Sequence, residues 1–277
     1  MNHKFSLRFF CCAALFLCLL LMAACGGSGD TAEPGASAPL TVTVAVPEGT
    51  CSTQIASLLE EKGVCAASEF LSAVNNPENL ALLPVTLAEQ NERAFLLEGY
   101  IFPDTYEFYT GCSGQAALER FLENTRVKLT QAYQARANEL GFTMDEVLSI
   151  ASIIQEEAGN PVNMPMVSSV IHNRLQSSRY PYLQCDVAIR YLEDYVKPYF
   201  SPEQYDTITY AYNINSKRKG LPAGPITNPG TDAIEAALYP ADSDYYFFVT
   251  DSEENYYYAE TWEGHKQNCH TAGIAGY

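Results

Sequence analysis

The stretch Thr143–Ala158, T-M-D-E-V-L-S-I-A-S-I-I-Q-E-E-A, constrains this chain most, because its start signal and its periodicity both specify one helix. Thr143 and Glu146 fit a capping box, in which a hydroxyl and a carboxylate satisfy orphan backbone N–H groups at a helix start. Apolar residues then recur at Val147, Ile150, Ala151, Ile154 and Ala158, the i, i+3, i+4, i+7 spacing of one helical face. At about 100° per residue, Gln155 and Glu157 flank that face on opposite sides, and Glu156 points away from it into solvent. Glu157 continues the Val147–Ile150–Ile154 row and is carried toward the interior. A carboxyl at the edge of an apolar wall loses hydration, which disfavours its charged form and raises its pKa. That suits a general acid working near neutral pH. The same position also serves a carboxylate that merely pairs with a buried arginine or caps a neighbouring helix, and the helix by itself leaves both readings open.

The 277 residues allow one large domain or two smaller ones, and 47% hydrophobic content is that of a globular chain. Formal charge is −17, and the densest basic cluster is only Lys217-Arg218-Lys219. That balance argues against nucleic acid as a partner and against charge-driven attraction to anionic lipid.

Met1–Ala24 begins with Lys4 and Arg8 and continues as an apolar run from Phe9 to Ala24, short for a spanning helix and right for a secretory signal. It ends L-M-A-A-C, the pattern of a bacterial lipobox, in which Cys25 is lipidated and becomes the first residue of the exported chain. An uncleaved signal anchor is the alternative. Either way residues 1–24 direct the rest to the outer side of a membrane. Residues 25–39, rich in Gly, Ser, Ala and Pro, then read as a lipidated Cys and a flexible linker.

Four of the nine cysteines lie in the signal and its lipobox, at 11, 12, 18 and 25, and five follow, at 51, 65, 112, 185 and 269; an odd number cannot pair fully within one chain. Cys51 and Cys65 are a candidate bridge in an oxidising space. His265, Cys269 and His270 are close, but no C-x-x-C or H-E-x-x-H accompanies them, so neither a metal nor a cofactor is expected.

Leu40, Val42, Val44 and Val46 alternate with smaller or polar residues and predict a strand. Pro47-Glu48-Gly49 turns the chain, and helices are predicted over Thr50–Glu61 and Ser68–Val74. This strand–helix–helix unit is too small to be an enzyme. Leu97–Phe108, L-E-G-Y-I-F-P-D-T-Y-E-F, is aromatic-rich with a turn at Pro103-Asp104. A long amphipathic helix is predicted over Gln115–Leu140, stopped by Gly141. Pro165–Leu175 is a further helix with Pro at its start; His172 within it reads as structural. Gly220–Gly230, G-L-P-A-G-P-I-T-N-P-G, is a stiff irregular loop of the kind that carries function. A short helix over Thr231–Leu238 and a hairpin, Tyr245–Val249 with Tyr256–Ala259, follow.

Five of these segments occur in one order: L-E-G-Y-I-F-P-D-T-Y-E-F, S-I-I-Q-E-E-A, N-R-L, L-Q-C-D and Y-N-I-N with the Gly220–Gly230 loop. Together they resemble the endolytic murein transglycosylase G, or YceG-like, family, from about Leu40 to Tyr277. The resemblance implies an α+β fold: a LysM-like module over residues 40–90, then a YceG-like catalytic domain over residues 91–277, of helices and short strands with a C-terminal hairpin. It implies cleavage of the β-1,4 bond between N-acetylmuramic acid and N-acetylglucosamine, leaving 1,6-anhydro ends. Nascent glycan strands would be the substrate, the outer face of the cell membrane the location, and the cell-wall synthesis machinery a partner. The family's essential glutamate is the last Glu of its S-I-I-E-K-E segment. Carried over, it falls on Glu157, the residue the helical arithmetic selects. Gln155 stands where the family often has Glu, L-Q-[ST]-D-P-T becomes Leu183–Ala188 with Cys185, and a lipobox replaces the usual spanning helix. Gln184, Asn213, Gly220, Pro222 and Asn228 are the expected substrate-binding residues. Glu98 and Asp104 are candidates for holding the cleft or for a structural ion pair. Asp186 is the candidate second carboxylate should the enzyme hydrolyse the bond instead, as a muramidase does. A non-catalytic cell-wall-binding lipoprotein is the remaining alternative; a solute-binding lipoprotein would show repeated βαβ patterning, which is missing here.

Overall fold

The computed structural model describes residues 40–87 and 90–274. The expected signal, Cys25 and the linker lie outside the described residues. Among the described residues, no helix is long and apolar enough to cross a membrane. Helices and short antiparallel strands make an α+β fold, as expected.

The strand expected at the start is β1 (Thr41–Ala45), and its inward residue Val44 is 1% exposed. Helices α1 (Ser52–Glu61) and α2 (Ala67–Val74) follow. The partner of β1 is β2 (Thr105–Tyr109), antiparallel, with Val44 opposite Tyr106 and Val42 opposite Phe108. Local pattern marked the β2 segment only as aromatic-rich, because a pairing partner so far away in sequence leaves no local trace. Cys51 caps α1 and is fully buried, its Sγ 3.2 Å from the Thr53 hydroxyl. Cys51, Cys65, Cys112, Cys185 and Cys269 are all free thiols, so the candidate Cys51–Cys65 bridge is not formed.

The single helix predicted over Gln115–Leu140 is two, α3 (Gly114–Lys128) and α4 (Gln131–Leu140). The chain turns extended at Thr130, whose hydroxyl accepts from the Tyr133 N–H at 3.2 Å and so starts a new helix. Gly141, at φ 80°, ends α4 in the left-handed conformation that glycine tolerates.

Next comes α5 (Met144–Glu157), with the predicted capping box: Thr143 N–H donates to the Glu146 carboxylate at 2.8 Å, and Glu146 N–H to the Thr143 hydroxyl at 3.2 Å. It is followed by α6 (Met164–Leu175), the short α7 (Val187–Tyr191), α8 (Pro202–Tyr212) and α9 (Thr231–Leu238). The hairpin of β3 (Phe247–Thr250) and β4 (Tyr256–Ala259) and helix α10 (Trp262–Thr271) complete the described chain. No sequence pattern had marked α7, α8 or α10.

Helix α5 is more central than an amphipathic helix. It packs against α4, α6, α7 and α9, and every residue from Val147 to Ile154 is buried. Its polar residues are satisfied internally: Ser149 donates to the Asp145 carbonyl at 3.2 Å and Ser152 to the Ser149 carbonyl at 2.8 Å. Ser152 also accepts from Ile226 N–H at 3.1 Å, which ties the irregular loop to the helix. Asp145 is buried against Arg93 as an ion pair and accepts from the Tyr100 hydroxyl at 2.6 Å. Beyond the half-exposed Glu146 of its first turn, only the last turn of α5 reaches a surface.

Candidate active site

That last turn presents Glu157. Helix α5 ends there because Ala158 is extended (φ −98°, ψ 108°). The end is fastened from the hairpin: the Tyr256 hydroxyl donates to the Glu157 carbonyl at 2.9 Å and accepts from Gly159 N–H at 2.8 Å. The Glu157 side chain is half-buried, and desolvation pushes its pKa up to about 7. The negative charges of Asp186 and Glu156 push the same way, whereas Arg190 and a hydrogen bond from Val187 N–H oppose. The helix termini oppose each other: Glu157 sits at the C-terminal, electronegative end of α5, which disfavours its charged form, whereas Val187 opens α7, whose N-terminus favours it. Glu156 is exposed, as the helical arithmetic predicts.

Glu157 borders a groove of about 440 Å³, within the ~300–1,000 Å³ typical of small-molecule sites. One wall is the turn Leu183–Asp186, and the other is aromatic, from Tyr246, Phe247 and Phe248 at the start of the hairpin to Trp262 and His265 on α10. The Phe247 ring stacks on His265 at 5.2 Å and tilts against Trp262 at 5.8 Å, so the aromatic wall is continuous. Trp262 is 40% exposed, a flat face open to a ligand.

The expected site residues divide by position. Gln184 and Asp186 line the Glu157 groove. Asp186 accepts from Asn215 Nδ2 at 2.6 Å, and Asn215 lines the groove too. Asn213, two residues earlier, spends its side-chain oxygen on the N–H groups of Asn215 and Ser216, both at 3.2 Å, and shapes the turn. Gly220 and Pro222 line a separate hollow of about 320 Å³ beside Asp145 and Leu175. Asn228 is fully buried; it accepts from Ile101 N–H at 2.9 Å and donates to the Thr50 carbonyl and the Glu98 carboxylate, each at 2.9 Å. Glu98 is 1% exposed and is held by Ser52, Tyr191 and Asn228, far from solvent. Burial raises its pKa to about 7 against those hydrogen bonds. Asp104 stays at the surface, paired with Lys128 at 3.2 Å. His172 is buried with Nε2 2.9 Å from the Ala237 carbonyl, a structural placement.

Sequence reasoning did not single out Tyr256, Trp262 or Arg190, and it met Arg174 only inside the N-R-L motif, without assigning it a role.

Fold and site together define an α+β protein with one carboxylic acid poised near neutrality at the foot of an aromatic-walled groove. The model of the YceG-like family matches residues 31–271, and the chain belongs to that family. It is 30% identical over 261 residues to proteins named endolytic murein transglycosylase from two strains of Streptococcus pneumoniae, D39 and R6. Those alignments cover 87% of this chain and 46% of each relative. A Bacillus subtilis protein of the same name is 26% identical over 231 residues, covering 81% of this chain and 63% of the relative. The chain thus spans about half the length of the pneumococcal relatives. A crystal structure of a YceG-like protein from Listeria monocytogenes superposes with a TM-score of 0.70 at 28% identity, covering 82% of this chain and 75% of that one.

Proposed function

We propose that this chain is an endolytic peptidoglycan transglycosylase with Glu157 as its only essential acid–base group. The observation that carries this reading is the desolvated Glu157 carboxyl, raised to about 7, on the border of a groove with an aromatic wall. The names of the relatives support the substrate class.

Protonated Glu157 donates its proton to the glycosidic oxygen, and the bond from that oxygen to C1 of N-acetylmuramic acid breaks. The oxygen leaves as the 4-hydroxyl of N-acetylglucosamine. Positive charge at C1 is stabilised by the acetamido group of the same sugar. Glu157, now a carboxylate, removes the proton of the C6 hydroxyl as that oxygen closes on C1. The acid is regenerated, a 1,6-anhydro end forms, and no water is consumed. Intramolecular closure gains from effective molarity. Burial serves both half-reactions, because a carboxyl near pKa 7 donates and accepts at neutral pH with similar ease.

The strand–helix–helix lobe over residues 40–90 serves as a LysM-like glycan-binding module. The lipobox places the chain on the outer face of the cell membrane through Cys25, where nascent strands and the cell-wall synthesis machinery are within reach. Asp186 lies in the same groove as Glu157, which gives a muramidase-type hydrolysis a specific footing. Mass spectrometry of the ends released from purified peptidoglycan separates the two: anhydro ends support transglycosylation, reducing ends support hydrolysis. Glu157→Gln should abolish release of either; retained cleavage in that folded variant rejects the assignment.

A further inference from the structure

The reaction above has no use for Arg174, yet this cation is only 6% exposed and its partners are uncharged oxygens. Burial lowers its pKa, the cost of desolvating a charge without a carboxylate beside it. Its Nε donates to the Tyr246 carbonyl at 2.6 Å, on the aromatic wall. Its Nη1 faces three acceptors on the opposite wall: the carbonyls of Tyr182 at 2.9 Å and Leu183 at 3.0 Å, and Gln184 Oε1 at 2.9 Å. The guanidinium also lies over the Phe247 ring, 4.8 Å from its centroid. One planar fork therefore joins both sides of the groove, a geometry that a lysine ammonium cannot reproduce.

Gln184 is unusual in its own right. It has φ 57°, a left-handed conformation that non-glycine residues rarely adopt, and it is exposed on the groove. Such backbone is retained where surrounding contacts over-determine it, often at ligand sites. Arginine has donors and no acceptor, so the amide oxygen of Gln184 must be the end that meets it. The Nε2 donors of Gln184 are thereby turned the other way.

We infer that Arg174 is a positioning residue that locks Gln184 so that its amide N–H groups meet an acyl carbonyl oxygen of the strand in the groove. This inference rests on the transglycosylase reading for the identity of the ligand. The carbonyl it selects is that of an N-acyl sugar or of the acyl group carried on the muramic acid.

The test uses the full chain and soluble glycan strands, with R174K, Q184A and R174K/Q184A. Activity is followed as KM and kcat across pH, and strand binding is measured in the inactive E157Q background. Loss of one neutral hydrogen bond corresponds to a roughly three- to tenfold weakening. Q184A should raise KM and the dissociation constant by that factor with kcat and the pH midpoint unchanged. R174K should do the same, and the double variant should be no worse than R174K, because Arg174 acts through Gln184. Wild-type KM in Q184A overturns the inference even if R174K does not fold, since Gln184 is exposed and its removal spares the core. Multiplying losses in the double variant, or a shifted pH midpoint in R174K, show a merely structural arginine and also overturn it. Cleavage surviving in E157Q instead rejects the transglycosylase reading itself, so the two failures are distinct.

Discussion

The sharpest consequence of the site is its response to pH. With an ordinary glutamate pKa of 4.5, about one Glu157 in 300 would carry a proton at pH 7; at about 7, half do. Burial therefore raises the acid-competent population at neutrality by roughly 150-fold. In the free enzyme kcat/KM should hold level below pH 6, reach half its plateau near pH 7, and fall tenfold per unit beyond pH 8. The signs of two perturbations follow from the charges around Glu157. Asp186 raises its pKa, so Asp186→Asn should move the midpoint to lower pH; Arg190 lowers it, so Arg190→Ala should move it higher. The assay is initial release of new glycan ends from purified peptidoglycan between pH 5 and 9 at fixed ionic strength, since screening alters both charge effects. A midpoint near 4.5, or one that both variants leave in place, would refute the claim that desolvation prepares this acid.

Other consequences concern the scaffold. Glu98 is an acid whose folded pKa, about 7, exceeds its ordinary 4.5, so the folded state holds its proton more tightly and stability should fall as pH rises from about 4.5 to 7. At 1.36 kcal/mol per unit the loss is roughly 3 kcal/mol; urea unfolding at pH 5 and pH 8 should differ less in Glu98→Gln, and an undiminished difference contradicts the assignment. Tyr256→Phe removes both hydrogen bonds that fasten the end of α5. It should cost about 1–2 kcal/mol in urea unfolding and lower kcat; a variant that matches the wild type in both argues against the clamp. Gly99 has φ 88°, and a Cβ there would lie 2.4 Å from Pro225 Cγ. Gly99→Ala should destabilise by roughly 2–4 kcal/mol, and an unchanged thermal midpoint would show that the loop yields more easily than this packing allows.

Local signals in the sequence carried much of this protein. The capping box, the apolar row and the Gly141 stop are short-range devices, so α5 and the end of α4 were readable within a residue or two. Glu157 was readable for the same reason: helical geometry alone puts position 157 beside the row of Val147, Ile150 and Ile154. The break at Thr130 was missed because Leu129 and Thr130 do not interrupt the polar and apolar alternation; only the cap geometry separates α3 from α4. Among the expected substrate residues, Asn228 and Gln184 looked alike in sequence as polar residues in motif loops. Folding sent one into the core beside Glu98 and left the other exposed on the groove.

What the chain determined by itself is therefore the helix, its end, and the acid carried there, because each depends on residues within about four positions of one another. What the tertiary structure decided is the surroundings of that carboxyl: Val187 N–H from α7, the Tyr256 hydroxyl from β4, the aromatic wall from β3 and α10, and the Arg174 fork between the walls. Those contacts join segments far apart in sequence, and burial is a property of the packed neighbourhood, which no local pattern of residues specifies.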